Sequence, residues 1–195
     1  LASLNLVAFM NHQGREAKAG ELHFDCKAFE HAVRLWTMAL EITVMMAQFP
    51  SKEIAMLSYE FRTLGLGYAN IGGLLMASGI AYDSKEGRAI AGAVAALMTG
   101  ISYATSAEMA AELGTFKHYK LNEKDMLRVM RNHRRGAYGE KEGYEGLEVM
   151  PVPLEEKDCP CPTLVKACRQ AWDRSLELGK KHGYRNAQAT CIAPT

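Results

Sequence analysis

The sequence predicts an α/β fold in which helices far outweigh strands. Long stretches carry apolar or small residues at helical spacing, three short runs have the length and composition of strands, and caps, glycines and prolines separate the two kinds. At 195 residues the chain is long enough for one domain with a substantial core. It shows no Gly/Ser-rich or Pro-rich linker, no low-complexity block and no internal repeat that would divide it into two.

Leu1 to Phe9 reads as a short strand, followed by a polar loop from Asn11 to Leu22. Asp25 is placed to cap a helix running to about Met46, with Phe29, Val33, Trp36, Leu40 and Val44 forming one core-facing stripe. Phe49-Pro50 breaks that helix, and Ser51 caps a shorter one to about Tyr59. Arg62 to Gly67 looks like a strand whose glycines admit another backbone or a ligand at close range. Helical spacing returns from Tyr68 to about Ser78. Asp83-Ser-Lys-Glu86 reads as a capping box for a long helix of small residues ending near Gly114. Asn122-Glu-Lys-Asp125 opens a helix reaching about Arg134, and Tyr138 to Lys157 is a loop rich in glycine, proline and charge. Pro160 or Pro162 suits the first turn of a helix that ends near His182, where Gly183 takes the left-handed position beyond the helix. Ala187 to Ala193 is short, uncharged and mostly small or apolar, as a strand buried on both faces is, and Pro194-Thr195 begins a turn. These strands are too few to make a sheet among themselves, so they are expected to lack partners.

Composition excludes several functions. Twenty-three basic and 22 acidic residues leave a net charge of +1, which creates no field for a polyanion, and no broad basic face with aromatic interleaving suggests nucleic-acid binding. The cluster Arg131-Asn-His-Arg-Arg135 reads as a solvated, ion-paired helix face, with a phosphate site as the alternative. Five cysteines and no signal peptide point to reduced thiols in the cytoplasm, each a small buried hydrophobe, Cys191 included. Cys159-Pro-Cys-Pro162 with Cys168 lacks the fourth ligand and the spacing of a zinc site, so no metal is expected. The six histidines are scattered, without a His-carboxylate pairing. Ala89 to Ala107 carries no charge over nineteen residues, near the length of a membrane span, but its Ala, Gly, Ser and Thr content and lack of aromatic anchors at both ends fit close packing inside a protein better.

Gly65-Leu-Gly-Tyr-Ala-Asn-Ile-Gly72 is spaced G-x-G-x-x-x-x-G and no acidic residue follows at a strand end, so it is not a dinucleotide fingerprint. Its glycines are read as tight packing of strand on helix, or as close approach to a nucleotide or corrin. No Lys-Ser or Lys-Thr follows a glycine loop, which excludes a P-loop. Ala193, Pro194 and Thr195 are the best candidates for direct chemistry, because a loop at a helix N-terminus gathers unpaired N–H groups for a phosphate and a threonine hydroxyl adds another donor.

Leu1-Ala-Ser-Leu-Asn-Leu6, Arg62-Thr-Leu-Gly-Leu-Gly-Tyr-Ala-Asn-Ile-Gly-Gly73, Ala107-Glu-Met-Ala110, Arg131-Asn-His-Arg-Arg135 and His182-Gly-Tyr-Arg-Asn-Ala-Gln-Ala-Thr-Cys-Ile-Ala-Pro-Thr195 together resemble, in order and nearly end to end, the adenosylcobalamin-dependent (class II) ribonucleotide reductases. The resemblance implies a helix-rich portion of that family's ten-stranded α/β barrel, with residues 1–195 a single partial barrel domain truncated at both ends. It makes Ala193-Pro194-Thr195 the start of the substrate-phosphate loop, and it suggests that Arg185-Asn186 braces the barrel rim.

In this family the 2′-hydroxyl of a ribonucleotide is removed by a radical mechanism that serves DNA synthesis. Adenosylcobalamin generates a thiyl on a finger-loop cysteine, two further cysteines supply electrons, and an Asn and a Glu handle proton transfers. The Asn-x-Cys-x-Glu motif and the redox cysteines are not in this sequence, so no catalytic residue is named, and the chain alone is expected to be inactive. The resemblance further implies a ribonucleotide substrate, a nucleotide effector, a thioredoxin-type reductant and a homodimer, with no nucleic-acid or membrane partner. The alternatives are a fragment of a class I large subunit, whose radical comes from a partner protein, and a non-catalytic helical scaffold.

Overall fold

The computed structural model describes residues 1–10 and 19–192. Strand β1 (Ala2–Asn5) pairs in parallel with β2 (Leu66–Ala69), Ala2 opposite Leu66 and Asn5 opposite Ala69. Parallel pairing requires a long crossover, supplied here by α1 (Cys26–Met46) and α2 (Lys52–Phe61). A third parallel passage lies on the other side of β2. Leu66 bridges Thr190, and the amides of Leu64, Leu66 and Cys191 donate to the carbonyls of Gln188, Ala189 and Leu66. The short strands therefore do find partners among themselves, contrary to the sequence expectation. The last passage is nonetheless a single bridge rather than a buried strand: Ala189 is buried, but Gln188, Cys191 and Ile192 are exposed because nothing covers its outer edge among the described residues.

Local chemistry explains where elements begin and end. β1 stops at Asn5, short of the expected Phe9, because the Asn5 side chain accepts from the Val7 amide at 3.3 Å and turns Leu6–Phe9 into a 3-10 turn. Phe9, Phe24 and Phe29 then pack edge to face, with Phe29 5.0 and 5.2 Å from the other two ring centres. Asp25 caps α1 through the Ala28 amide, as expected. The buried face of α1 is Phe29, Val33, Thr37, Leu40 and Glu41. That face is rotated from the expected stripe, which leaves Trp36 47% exposed at its margin.

Ser51 caps α2 through Ile54, and α2 ends at Arg62, whose φ of 52° is left-handed. That conformation delays β2 to Leu66, so Tyr68 and Ala69 lie in the strand rather than in the next helix, and α3 spans only Ile71–Ala77. Ser84, not Asp83, caps the central helix α4 (Lys85–Leu113), accepting from Gly87 at 2.9 Å. α5 (Tyr119–Tyr138) starts before Asn122 and outlasts Arg134, ending at the left-handed Gly139. α6 (Pro162–His182) has Pro162 in its first turn and ends at Gly183, whose φ of 71° with ψ of −161° is positive but not the left-handed helical conformation expected.

α4 is long and apolar enough to cross a membrane, yet 67% of its most apolar window is buried inside this protein. Its small residues let α6 approach closely: a Cβ on Gly100 would lie 2.9 Å from that of Ala171. Beside this contact Trp172, buried, stacks on His133 with ring centres 5.1 Å apart, and burial lowers the imidazole pKa below 6.5. The Arg131–Arg135 cluster is ion-paired, as expected. Arg131 and Arg135 hold Glu145 at 2.6 and 2.7 Å, Arg134 holds Asp173 at 2.6 Å, and hydrogen bonds from Arg131 and then Arg135 bring the Glu145 pKa down to about 2.

Two predictions test this packing. Gly100→Leu should lower stability by about 1–3 kcal/mol through overpacking. Gly92→Ala, whose Cβ would meet only Leu154 at 3.8 Å, should raise it by about 0.5–1 kcal/mol; urea unfolding midpoints report both. His133 and Glu145 each have a folded pKa below the ordinary value, so the unfolded chain binds more protons and stability rises with pH. The His133 contribution is full above about 6.5 and is lost as pH falls below it. The Glu145 contribution is full above 4.5 and declines as pH falls toward about 2. Equilibrium unfolding from pH 3 to 8 should therefore show two limbs, with His133→Phe flattening the upper and Glu145→Gln the lower.

Candidate functional site

In open parallel sheets, ligand sites lie beyond the carboxyl ends of the strands. Here three such ends point the same way: β1 at Asn5, β2 at Ala69-Asn70 and the third passage at Ile192. Asn70, left-handed at φ 68°, donates from Nδ2 to Asn5 Oδ1 at 3.2 Å, joining the first two ends. The third is brought against β2 by Gly67. A Cβ there would lie 2.8 Å from the Cys191 carbonyl and 3.4 Å from the Ile192 Cα, so the close backbone approach read from the glycine run is what the structure uses. Thr190 is also tied to α4 through Thr99, hydroxyl to hydroxyl at 3.1 Å. Ala193, Pro194 and Thr195, the phosphate-binding candidates, lie outside the described residues; the chain is placed as far as Ile192, immediately before them.

At the opposite end of the sheet sits a charged cluster that the sequence did not announce. Glu41, 4% exposed, projects from α1 into the core. Its Oε1 accepts from Arg62 Nε at 2.6 Å and Arg185 Nε at 2.8 Å, and its Oε2 from Asn186 Nδ2 at 2.6 Å. Asn186 is fully engaged: Nδ2 also donates to the Arg62 carbonyl at 2.9 Å, Oδ1 accepts from Ser106 Oγ at 2.8 Å, and its amide donates to the same Oγ at 3.0 Å. The one sequence signal for Glu41 was a carboxylate within the apolar face of an amphipathic helix. Arg185-Asn186, read as a brace, makes these bonds.

Cys26 is raised to about 12 chiefly by burial, and burial pushes the Cys159 and Cys168 thiols up as well, so these are protonated, unreactive sulfurs. Cys191 departs from expectation in being exposed on the uncovered edge. Among the described residues, no group of His, Cys, Asp and Glu is arranged to hold a metal ion. A His-carboxylate pair does exist, contrary to the sequence reading: His118 Nε2 lies 2.9 Å from Glu60 Oε2, and Lys117, then His118, holds the Glu60 carboxyl below its ordinary pKa. It fastens the end of α2 to the start of α5, where Phe61 stacks on His118 at 5.0 Å. A cavity of about 880 Å³ opens between α4, α5 and α6, walled by Gly92, Ala96, Val129, Val152 and Trp172, with Ile192 at its margin.

A family model described as "Ribonucleotide reductase, barrel domain" matches residues 1–195. Over all 195 residues the chain is 64% identical to a vitamin B12-dependent ribonucleotide reductase of Bradyrhizobium diazoefficiens and 64% identical to one of Agrobacterium fabrum, spanning 15% of the length of each. It is 43% identical to the corresponding protein of Streptomyces coelicolor, spanning 18% of it. Because the family model covers every residue from Leu1 to Thr195, this chain belongs to the ribonucleotide reductase barrel-domain family.

Proposed function

We propose that this chain is part of the catalytic barrel of a vitamin B12-dependent ribonucleotide reductase, and that it supplies the wall and phosphate anchor of the substrate site. The observation that carries the reading is the convergence of three parallel strand ends on the segment just before Ala193-Pro194-Thr195, in a chain 64% identical throughout to relatives bearing that name. Those names favour the cobalamin-dependent reading over the class I alternative, and the family match argues against a stand-alone scaffold.

In this reading residues 1–195 belong to one barrel domain. Backbone amides of Ala193 and Thr195, with the Thr195 hydroxyl, bind the substrate phosphates, while Gly67 lets the passage carrying them lie flat on β2. The bound ribose is thereby held over the strand ends, with a fixed orientation and restricted water. Adenosylcobalamin, when bound, supplies the radical chemistry. A ribonucleotide substrate, a nucleotide effector, a thioredoxin-type reductant, assembly as a homodimer and a cytoplasmic location complete the proposal.

The 195-residue chain with adenosylcobalamin and a dithiol should reduce no nucleotide, whereas the full-length reductase carrying this sequence should do so without a radical-donating partner. Turnover by the short chain, or a requirement for such a partner, would overturn the reading. In the full-length enzyme, Thr195→Val should raise the KM for the nucleotide about tenfold, the effect of losing one hydrogen bond to a charged group. An unchanged KM would remove Thr195 from the phosphate site.

A further inference from the structure

We infer that Glu41 is a positioning residue for the substrate-phosphate segment: its buried carboxylate, acting through Asn186 and Arg62, fixes the root of the passage that ends at Ile192. The inference rests on the reductase reading above, because it names a residue acting on that same site.

The root of this passage is Asn186. It is fully buried and its side chain has no freedom left, since both its donors and its acceptor are bonded to groups on three separate elements: Glu41 on α1, the Arg62 carbonyl at the end of α2, and Ser106 on α4. The neighbouring backbone is held as tightly. The Arg185 amide donates to the Ser106 carbonyl at 3.1 Å, and the Ala187 amide to the Phe61 carbonyl at 2.9 Å. Beyond Asn186 the chain bends at Ala187 and is then locked to β2 by the bonds of Gln188, Ala189 and Cys191. A displacement at Asn186 therefore has to shift this passage along β2 or break its register there.

Glu41 is the centre of that root. The same oxygen that binds Arg185 also binds Arg62, and Arg62 precedes β2, the strand against which the passage is registered. One carboxylate therefore sets both partners of the pairing. Glu41 is remote from the strand carboxyl ends and is buried among its own partners, so it acts on the substrate only through this geometry. Misplacing a binding group by about an ångström has large effects on rate and affinity. A phosphate anchor is used equally in the ground and transition states, so its displacement should appear in affinity rather than in kcat.

The test uses the full-length reductase. Nucleotide Kd is measured by equilibrium dialysis without cobalamin, and KM and kcat are measured with it. Glu41→Gln keeps the shape and removes the charge that Arg62 and Arg185 share; it should weaken Kd and raise KM by about five- to twentyfold while kcat stays within about twofold. Ser106→Ala, a milder cut that leaves the carboxylate in place, should shift both by about threefold and decides the matter if Glu41→Gln does not fold. Val33→Ala, on the same helix but outside the cluster, controls for lost stability and should leave Kd within about twofold despite a lower Tm. The inference is overturned if Glu41→Gln, or Ser106→Ala in its place, keeps wild-type Kd and KM, or if Val33→Ala weakens binding equally. A wild-type enzyme that binds no nucleotide would instead overturn the function proposed above.

Discussion

The buried carboxylate of Glu41 is the interaction on which the rest of this structure most depends. It brings together four pieces of chain that share no sequence proximity: α1, the end of α2, the middle of α4 through Asn186 and Ser106, and the turn after α6. A lone charge at such a site would be costly, and here it is offset by two guanidinium groups and an amide. Removing one member of a buried ionic cluster typically costs about 3–5 kcal/mol, because the remaining charges stay behind without a partner. The backbone follows the same logic. Arg62 accepts a left-handed φ of 52°, a conformation that carries strain for a side chain of its kind, and the bonds of its guanidinium and carbonyl hold it there.

The second constraint is steric. α4 is built from small residues so that α6 can lie against it at the distance of Gly100 and Ala171, and the same smallness leaves room for the cavity it lines together with Trp172. A helix of this composition passes for a membrane span by length and hydropathy, and what distinguishes it is the burial of most of that window against α1, α5 and α6. The sheet is governed similarly: Gly67 gives up its side chain so that the Cys191 carbonyl can approach, which places the third passage.

Function enters where these two constraints meet. The ionic cluster holds the amino ends of the passages and the glycine contact holds their middle, so the carboxyl ends emerge side by side with little freedom. The phosphate-binding role proposed for the following segment needs such preorganisation, since backbone amides bind an anion well only when their directions are already set.

Much of this was legible in the sequence. Asp25 and Ser51 announced their helices because a cap is a local interaction, satisfied within three residues. Pro162 did so because its ring sets φ without a partner, and the order of helices and short strands followed from periodicity. The family likeness was legible too, because long motifs survive in one chain. What local chemistry does not specify went astray: Tyr68 and Ala69 became strand once Arg62 turned left-handed, Trp36 was rotated out by the seat of α1 against α4, and Cys191 was exposed because, among the described residues, its passage has a neighbour on one side only. Glu41 carried no signal beyond a charge in an apolar stripe, since its meaning lies in Arg62, Arg185 and Asn186, up to 145 positions away. The sequence by itself determined the elements, their caps and the kinship, all of which depend on neighbours along the chain. Only the tertiary structure decided which faces are buried, which strands pair and where the Glu41 carboxylate finds its cations, because those depend on contacts that exist only after the chain has closed on itself.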